Sequence, residues 1–192
     1  MGLFDSLFAY LGKSSAITIF VLGLLSIYLF IVLWIFIYRY FSLKNKIWRE
    51  EFSLKKLYVG RSKTVETTSL LHPFLEKVLI PNQAIFSVAK NSAIKSATSG
   101  LTALSIIAST SPFIGLFGTV VAILETFSGL GTQSGTSIAI VAPAISEALV
   151  ATAAGIAVAT VAYTFHLILK RKAYELSVLL ESQSDLILSQ KA

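Results

Sequence analysis

Three apolar runs dominate the chain. A helix needs roughly 20 apolar residues to cross a hydrocarbon core about 30 Å thick. Residues 16–38 form 23 positions without a charge, residues 101–127 stay apolar as far as Glu125, and residues 138–169 form 32 positions with one acid, Glu147. At 1.5 Å per residue the third run is about 48 Å long, so it must tilt or protrude from a bilayer. The pattern predicts an all-α membrane protein with three transmembrane helices. The first run does not read as a signal peptide. It is too long, no small-x-small cleavage site follows it, and Lys13 is the one basic residue before it.

The three runs differ in side-chain size. The first is bulky, with Phe20, Leu24, Leu25, Tyr28, Phe30 and Trp34, and is expected to face lipid all round. Its small interior positions are Gly23 and Ser26. In the second, Ser105, Ala108, Pro112, Gly115, Thr119, Ala122 and Thr126 recur at alternating spacings of 3 and 4, which places them on one helix face. The third carries a similar stripe of Ala144, Ala148, Ala151, Gly155, Ala159 and Ala162. Small residues let helix backbones approach closely in a membrane, where packing drives association. The stripes alone need nothing more than helix–helix contact.

Charge sets the orientation. Eleven of the sixteen Lys and Arg residues lie between Arg39 and Lys95, and Lys170, Arg171 and Lys172 follow the third run. The positive-inside rule makes residues 39–100 and 170–192 cytoplasmic, and puts residues 1–15 and 128–137 on the opposite side. The internal segment is expected to be helical, with breaks at Pro73 and Pro81, and a helix starting near Asn82 can run on into the second span. The net charge of +6 does not indicate a nucleic-acid partner, because the basic residues flank apolar runs. With 14% charged residues and no cysteine, the chain is no ordinary soluble domain, has no disulfide framework and offers no thiolate metal site. No P-loop, metal-ligand cluster or nucleophile–base pair is apparent, so neither an enzyme nor a cofactor is expected.

Glu147 stands out. It lies nine residues into the third run, about 13 Å along the helix, where an acid costs roughly 2.5–3.5 kcal/mol to insert. Water, a partner group or a proton must offset that cost. An ion or water pathway is one reading; a hydrogen-bonded carboxyl that fixes helix packing is the other. Thr119 and Thr152 are weaker signals, since a lone intramembrane threonine commonly bonds its own backbone. Thr152 is about 140° around an ideal helix from Glu147, so the two flank the small stripe. His72 and His166 are isolated and read as structural.

The run Ser111-Pro-Phe-Ile-Gly-Leu-Phe-Gly-Thr-Val120 and the run Val141-Ala-Pro-Ala-Ile-Ser-Glu-Ala-Leu-Val-Ala-Thr-Ala-Ala-Gly155 resemble the signature blocks of the TolQ/ExbB/MotA proton-channel superfamily. They lie on the second and third runs in the family's order and, with the spans, cover about residues 100–170. Ala144 and Ser146 stand where relatives often carry Gly and Ala, and the cytoplasmic segment is short. The short N-terminal tail looks more like TolQ than like ExbB proteins with extended N-termini. The resemblance implies a homopentamer in the bacterial inner membrane, with the second and third helices around a central pore. It implies a TolR/ExbD-like single-span partner dimer in that pore, bearing a transmembrane Asp, and a TolA/TonB-like protein beyond it. Thr119, Glu147 and Thr152 would line the proton pathway. Ser105, Pro112, Gly115, Ala122, Ala148, Ala151 and Gly155 would shape the packed or pore-facing surfaces.

The expected function is thus a subunit of a motor driven by the proton motive force, serving envelope integrity at division or receptor-dependent uptake. A stand-alone channel or transporter is the second class, although no inverted repeat is visible. A non-conducting scaffold is the third, and it leaves Glu147 without a reason.

Overall fold

The computed structural model describes residues 16–60, 66–76, 82–130 and 138–189. The N-terminal tail, Pro81 and most of the loop expected at 128–137 lie outside the described residues. The elements are all helical: α1 (Ala16–Tyr58), α2 (His72–Leu75), α3 (Gln83–Thr98), α4 (Leu101–Leu130) and α5 (Ile138–Ser189). Among the described residues three helical stretches are long and apolar enough to cross a membrane: Ala16–Tyr58, Gln83–Ser128 and Val141–Ser189.

Local chemistry sets the ends. α1 runs 43 residues without Pro and stops at Gly60. Gly60 takes φ +69°, and its N–H donates to the Leu57 carbonyl at 3.2 Å, the left-handed glycine ending of a helix. Pro73 opens the short α2 rather than breaking a longer helix, since a first-turn proline lacks an N–H that would be unpaired anyway. Asn82 caps α3, its side-chain oxygen accepting from the Ile85 N–H at 3.1 Å. The helix from Asn82 does not run unbroken into the second span. Ser99 is extended at ψ 132° and Gly100 sits at φ +88°, so the chain bends between α3 and α4. A Cβ at Gly100 would come 3.4 Å from the Ile35 side chain, and Arg39 donates to the Ser96 carbonyl at 3.3 Å close by. α5 is 52 residues, about 78 Å, and therefore far outruns a bilayer.

The fold divides into two compact units. One gathers the described residues up to Trp34 with Ala103–Thr164; the other gathers Ile35–Thr102 with those from Phe165 onward.

In the first unit α4 and α5 run antiparallel at very short range. A Cβ added to Gly115 would lie 2.7 Å from the Ala151 carbonyl oxygen, and one added to Gly155 would lie 2.6 Å from that of Ser111. Ala148, Ala151, Gly155, Ala159 and Ala162 are buried, as the small stripe on the third run predicts. On α4 the buried line is Leu104, Ile107, Ser111, Gly115, Thr119 and Ala122. Ser105 is exposed and Pro112 half-buried, so the expected second-span stripe is packed only over its later half. The first run does not face lipid all round. Thr18, Val21, Leu25 and Val32 are buried at spacings of 3, 4 and 7, and the outer face shows Phe20, Phe30 and Trp34. Gly23 meets nothing within 4 Å and Ser26 is exposed; the small contact is on the other helix, where Gly118 receives Val21.

In the second unit an apolar core of Leu43, Leu57, Leu71, Phe86, Leu176 and Leu180 surrounds one buried acid. Glu50 is 0% exposed. Its carboxylate accepts from the Leu70 N–H at 2.7 Å, the Ser69 hydroxyl at 2.8 Å and the Gln183 amide at 2.9 Å. The same amide reaches the Glu50 carbonyl at 2.8 Å. The network ties α1, the turn before α2 and the far end of α5 together. Hydrogen bonds to a charged group contribute about 1.5–3 kcal/mol each, and removing the acceptor orphans several buried donors. Glu50→Ala is therefore expected to loosen this unit by about 3 kcal/mol or more. Hydrogen exchange would read it as faster exchange of the Leu70 amide and of the α5 amides around Gln183; unchanged protection there would contradict it. Near the start of this stretch of α5, hydrogen bonding from Lys172 holds the Glu175 carboxyl below its ordinary range, with charge from Lys172 and Arg171 acting in the same direction.

Candidate proton pathway

The close approach at Gly115 and Gly155 brings two hydroxyls together. Thr119 and Thr152 hydrogen-bond each other across α4 and α5. Thr119 Oγ1 also reaches the Ala148 carbonyl at 2.9 Å and its own Gly115 carbonyl at 3.3 Å. Thr152 Oγ1 reaches the Gly115 carbonyl at 3.3 Å. Each hydroxyl has a single hydrogen to give. The pair therefore has two complete orderings. In one, Thr152 donates to Thr119, which donates to the Ala148 carbonyl. In the other, Thr119 donates to Thr152, which donates to the Gly115 carbonyl. A hydroxyl pair that can reverse its direction while staying fully bonded is suited to passing a proton. The threonines thus bond backbone, as a lone intramembrane threonine would, but they do so across the helix contact.

Glu147 is not part of this pair. It is half-buried on the opposite flank of α5, one residue before the Ala148 that receives Thr119, and it has an interaction partner. Five residues separate it from Thr152, or about 140° of turn, which matches the divergence expected from sequence.

Beyond the threonine pair, an open groove of about 460 Å³ runs along α4 and α5. Ser105, Ala108 and Ser109 line it from α4, and Thr160, Tyr163 and Thr164 from α5. Its hydroxyls bond their own helices: Ser109 to the Ile106 carbonyl at 3.0 Å, Thr160 to that of Ile156 at 2.9 Å, and Thr164 to that of Thr160 at 2.8 Å. Ser105 and Ala108, expected on a packed or pore-facing surface, line this open side. Pro112 and Gly115 lie between groove and pair, and the missing Cβ of Gly115 lets α4 come close. In the second unit, His166 Nδ1 lies 3.1 Å from the Leu101 carbonyl, while His72 lies 3.8 Å from Glu76.

Residues 81–182 match the family model described as the MotA/TolQ/ExbB proton channel family. The chain belongs to this family. A Helicobacter pylori protein called "Putative biopolymer transport protein ExbB-like 1" is 43% identical over 187 residues, covering 97% of this chain and 99% of that protein. A Neisseria gonorrhoeae "Biopolymer transport protein ExbB" is 54% identical over 69 residues, or 34% of this chain and 31% of that protein. A Pseudomonas aeruginosa "Tol-Pal system protein TolQ" is 53% identical over 53 residues, or 28% of this chain and 23% of that protein. The short tail does not separate ExbB from TolQ, because an ExbB-like relative matches this chain end to end. As a member of the MotA/TolQ/ExbB family the chain is a membrane proton-channel subunit and falls in no known enzyme class.

Glu50 and Thr18 are among the buried polar positions that the residue pattern alone did not single out. Glu50 shares a heptad position with Leu43 and Leu57, spaced by 7, which marks it as inward-facing despite its charged neighbours. Thr18 continues the Val21–Leu25–Val32 stripe in the same way.

Proposed function

We propose that this chain is the inner-membrane ring subunit of a motor that spends the proton motive force on transport across the outer membrane, as an ExbB-like component. Five copies form a ring whose α4 and α5 helices surround the pore. A dimer of an ExbD/TolR-like single-span protein occupies that pore and presents its transmembrane Asp to Thr119, Glu147 and Thr152. The N-terminus is periplasmic and the C-terminus cytoplasmic, in keeping with the eleven Lys and Arg residues between Arg39 and Lys95. Proton transfer at the ring turns or shifts ring and partner against each other, and a TonB/TolA-like protein carries the work outward.

The observation that carries this reading is the reversible Thr119–Thr152 pair, bridging two small-faced helices inside a membrane span. The open hydroxyl-lined groove beside it supports the same reading, since a chain complete in itself has little reason to leave such a face uncovered. Bulky aromatics on the outer face of α1 suit lipid contact outside the ring.

The experiment is co-expression with the single-span product of a neighbouring gene, purification and reconstitution in liposomes holding a pH-sensitive dye. The complex is expected to pass protons down an imposed gradient, and the ring alone to pass markedly fewer. Equal flux without the partner would favour a stand-alone channel, and no flux in either preparation would favour a scaffold.

A further inference from the structure

Among the described residues, two buried hydroxyls have no hydrogen-bond partner, Thr18 and Ser53, and Thr18 is the one in the first unit. Thr18 is 0% exposed. Other hydroxyls of this unit are bonded: Thr110 to the Ile106 carbonyl at 2.8 Å, Ser111 to that of Ile107 at 2.7 Å, and Thr126 to that of Ala122 at 2.8 Å. An orphaned buried hydroxyl is costly, so each one calls for a reason.

Its place in the helix stack supplies one. Val21, one turn along α1 from Thr18, fills the notch at Gly118, its Cγ1 only 3.0 Å from where a Cβ would stand. Gly118 precedes Thr119, whose hydroxyl meets the Ala148 carbonyl. Val21, Gly118 and Ala148 therefore mark one layer of the unit. Thr18 lies about 4.5 Å from that layer toward the N-terminus of α1, and Glu147 about 1.5 Å toward the N-terminus of α5. The first and third of three successive spans run parallel, and helical side chains lean toward their own N-termini. The longer glutamate leans further, which brings its carboxyl into the layer of the Thr18 hydroxyl. The flank agrees as well. On α4, Thr119 faces Thr152 while Gly118, about 100° away, faces α1. Glu147 lies on the flank of α5 turned from Thr152, and Val158, eleven residues on and about 20° from it, is buried on that same flank.

We infer that Thr18 is a relay hydroxyl for Glu147, a fourth polar side chain of the pathway, contributed by α1. The inference rests on the proposed proton-motor reading. An oxygen lone pair of Thr18 accepts a proton from a hydronium or protonated water chain on the N-terminal side of the layer. As it does so, the Thr18 O–H bond breaks toward the Glu147 carboxylate. The carboxylate gains one proton, the water loses one, and the hydroxyl ends neutral with its hydrogen exchanged. Rotation about Cβ–Oγ resets it. The same hydroxyl can donate to or accept from Glu147 in either protonation state, so it serves both halves of a cycle.

The test uses the complex with its single-span partner in dye-loaded liposomes. Thr18→Val keeps the shape and removes the hydroxyl. It is expected to lower proton flux by about two- to tenfold, the size of one hydrogen bond missing from the transfer step. Thr18→Ser is expected to conduct like the parent, and Glu147→Gln to abolish flux with or without Thr18→Val. Because Thr18 makes no hydrogen bond to lose, the thermal melting of Thr18→Val is expected to hold or rise, an effect a merely structural role would not combine with lost flux. Under an imposed proton gradient the Glu147 carboxyl band, identified by its loss in Glu147→Gln, is expected to differ from the parent in Thr18→Val and to match it in Thr18→Ser. Should Thr18→Val fail to assemble, Thr18→Cys, with its weak S–H donor, gives the same decision through reduced flux. Full flux in Thr18→Val or Thr18→Cys beside a dead Glu147→Gln overturns the Thr18 inference alone. Equal loss in Thr18→Ser and Thr18→Val also overturns it, by showing a steric role. Full flux in Glu147→Gln brings down the motor reading itself.

Discussion

Gly155→Val is expected to prevent α4 and α5 from closing and to leave little folded protein. The reason is not the added volume alone. The first atom of any side chain at 155 would stand 2.6 Å from the Ser111 carbonyl oxygen and 3.1 Å from Gly115 Cα. Both are backbone atoms of a helix, so no rotamer change relieves the contact; the helix itself must move. Overpacking a well-filled core typically costs 1–3 kcal/mol, and here the obstacle is rigid, so the loss is expected to reach at least about 3 kcal/mol. Moving α4 away also separates Thr119 from Thr152 and from the Ala148 carbonyl, which breaks the pair and leaves Thr119 the Gly115 carbonyl of its own helix. Gly115→Val is expected to behave alike, since its Cβ would stand 2.7 Å from the Ala151 carbonyl oxygen. Gly23→Val is the control, because nothing lies within 4 Å of a Cβ there. Thermal unfolding in detergent separates the cases. A Gly155→Val protein melting with the parent would show that the helix contact is looser than its geometry implies.

This contact explains which parts of the fold were legible in the sequence. The small stripe of the third run is a local, periodic signal, and Ala148, Ala151, Gly155 and Ala162 are buried where that period places them. The second run has the same period, yet its first half turns toward an open groove. Periodicity identifies a face without saying what covers it, so Ser105 and Ala108 looked the same as Gly115 and Thr119. The first run misled for the opposite reason. Its bulky residues suggested no packed face, but a large side chain packs well when the neighbour supplies the gap, as Gly118 does for Val21. That complementarity is non-local and leaves no mark on either segment alone. The bend at Gly100 was hidden for a similar reason. Glycine is tolerated within a helix, so the sequence does not announce the positive φ that Gly100 takes beside Ile35 and Arg39 of α1.

Glu147→Ala is expected to abolish proton flux through the assembled complex while leaving assembly intact. Two contributions separate in this prediction. The side chain is half-buried on a flank of α5, not in the Gly115–Gly155 contact, so its removal leaves the closest packing of the unit untouched. Alanine removes both the insertion cost of an acid at mid-helix, roughly 2.5–3.5 kcal/mol, and the interaction that Glu147 makes, so assembly is expected to change little. Flux has no such compensation. A positioned acid or base contributes typically 10²- to 10⁴-fold to a proton-transfer step, and a loss of about 10²-fold or more is expected. Thr119→Val is expected to be milder, about tenfold, because Thr152 can still donate to the Gly115 carbonyl and one ordering of the pair partly survives. The order of severity is therefore the informative result. Glu147→Ala below Thr119→Val, with equal amounts of purified complex, fits a path in which the carboxyl holds the proton and the hydroxyls pass it on. Thr119→Val conducting nothing while Glu147→Ala conducts freely would place the proton on the threonine side of α5 alone. The carboxyl would then be left with a packing role, and the mechanism built on it would fall.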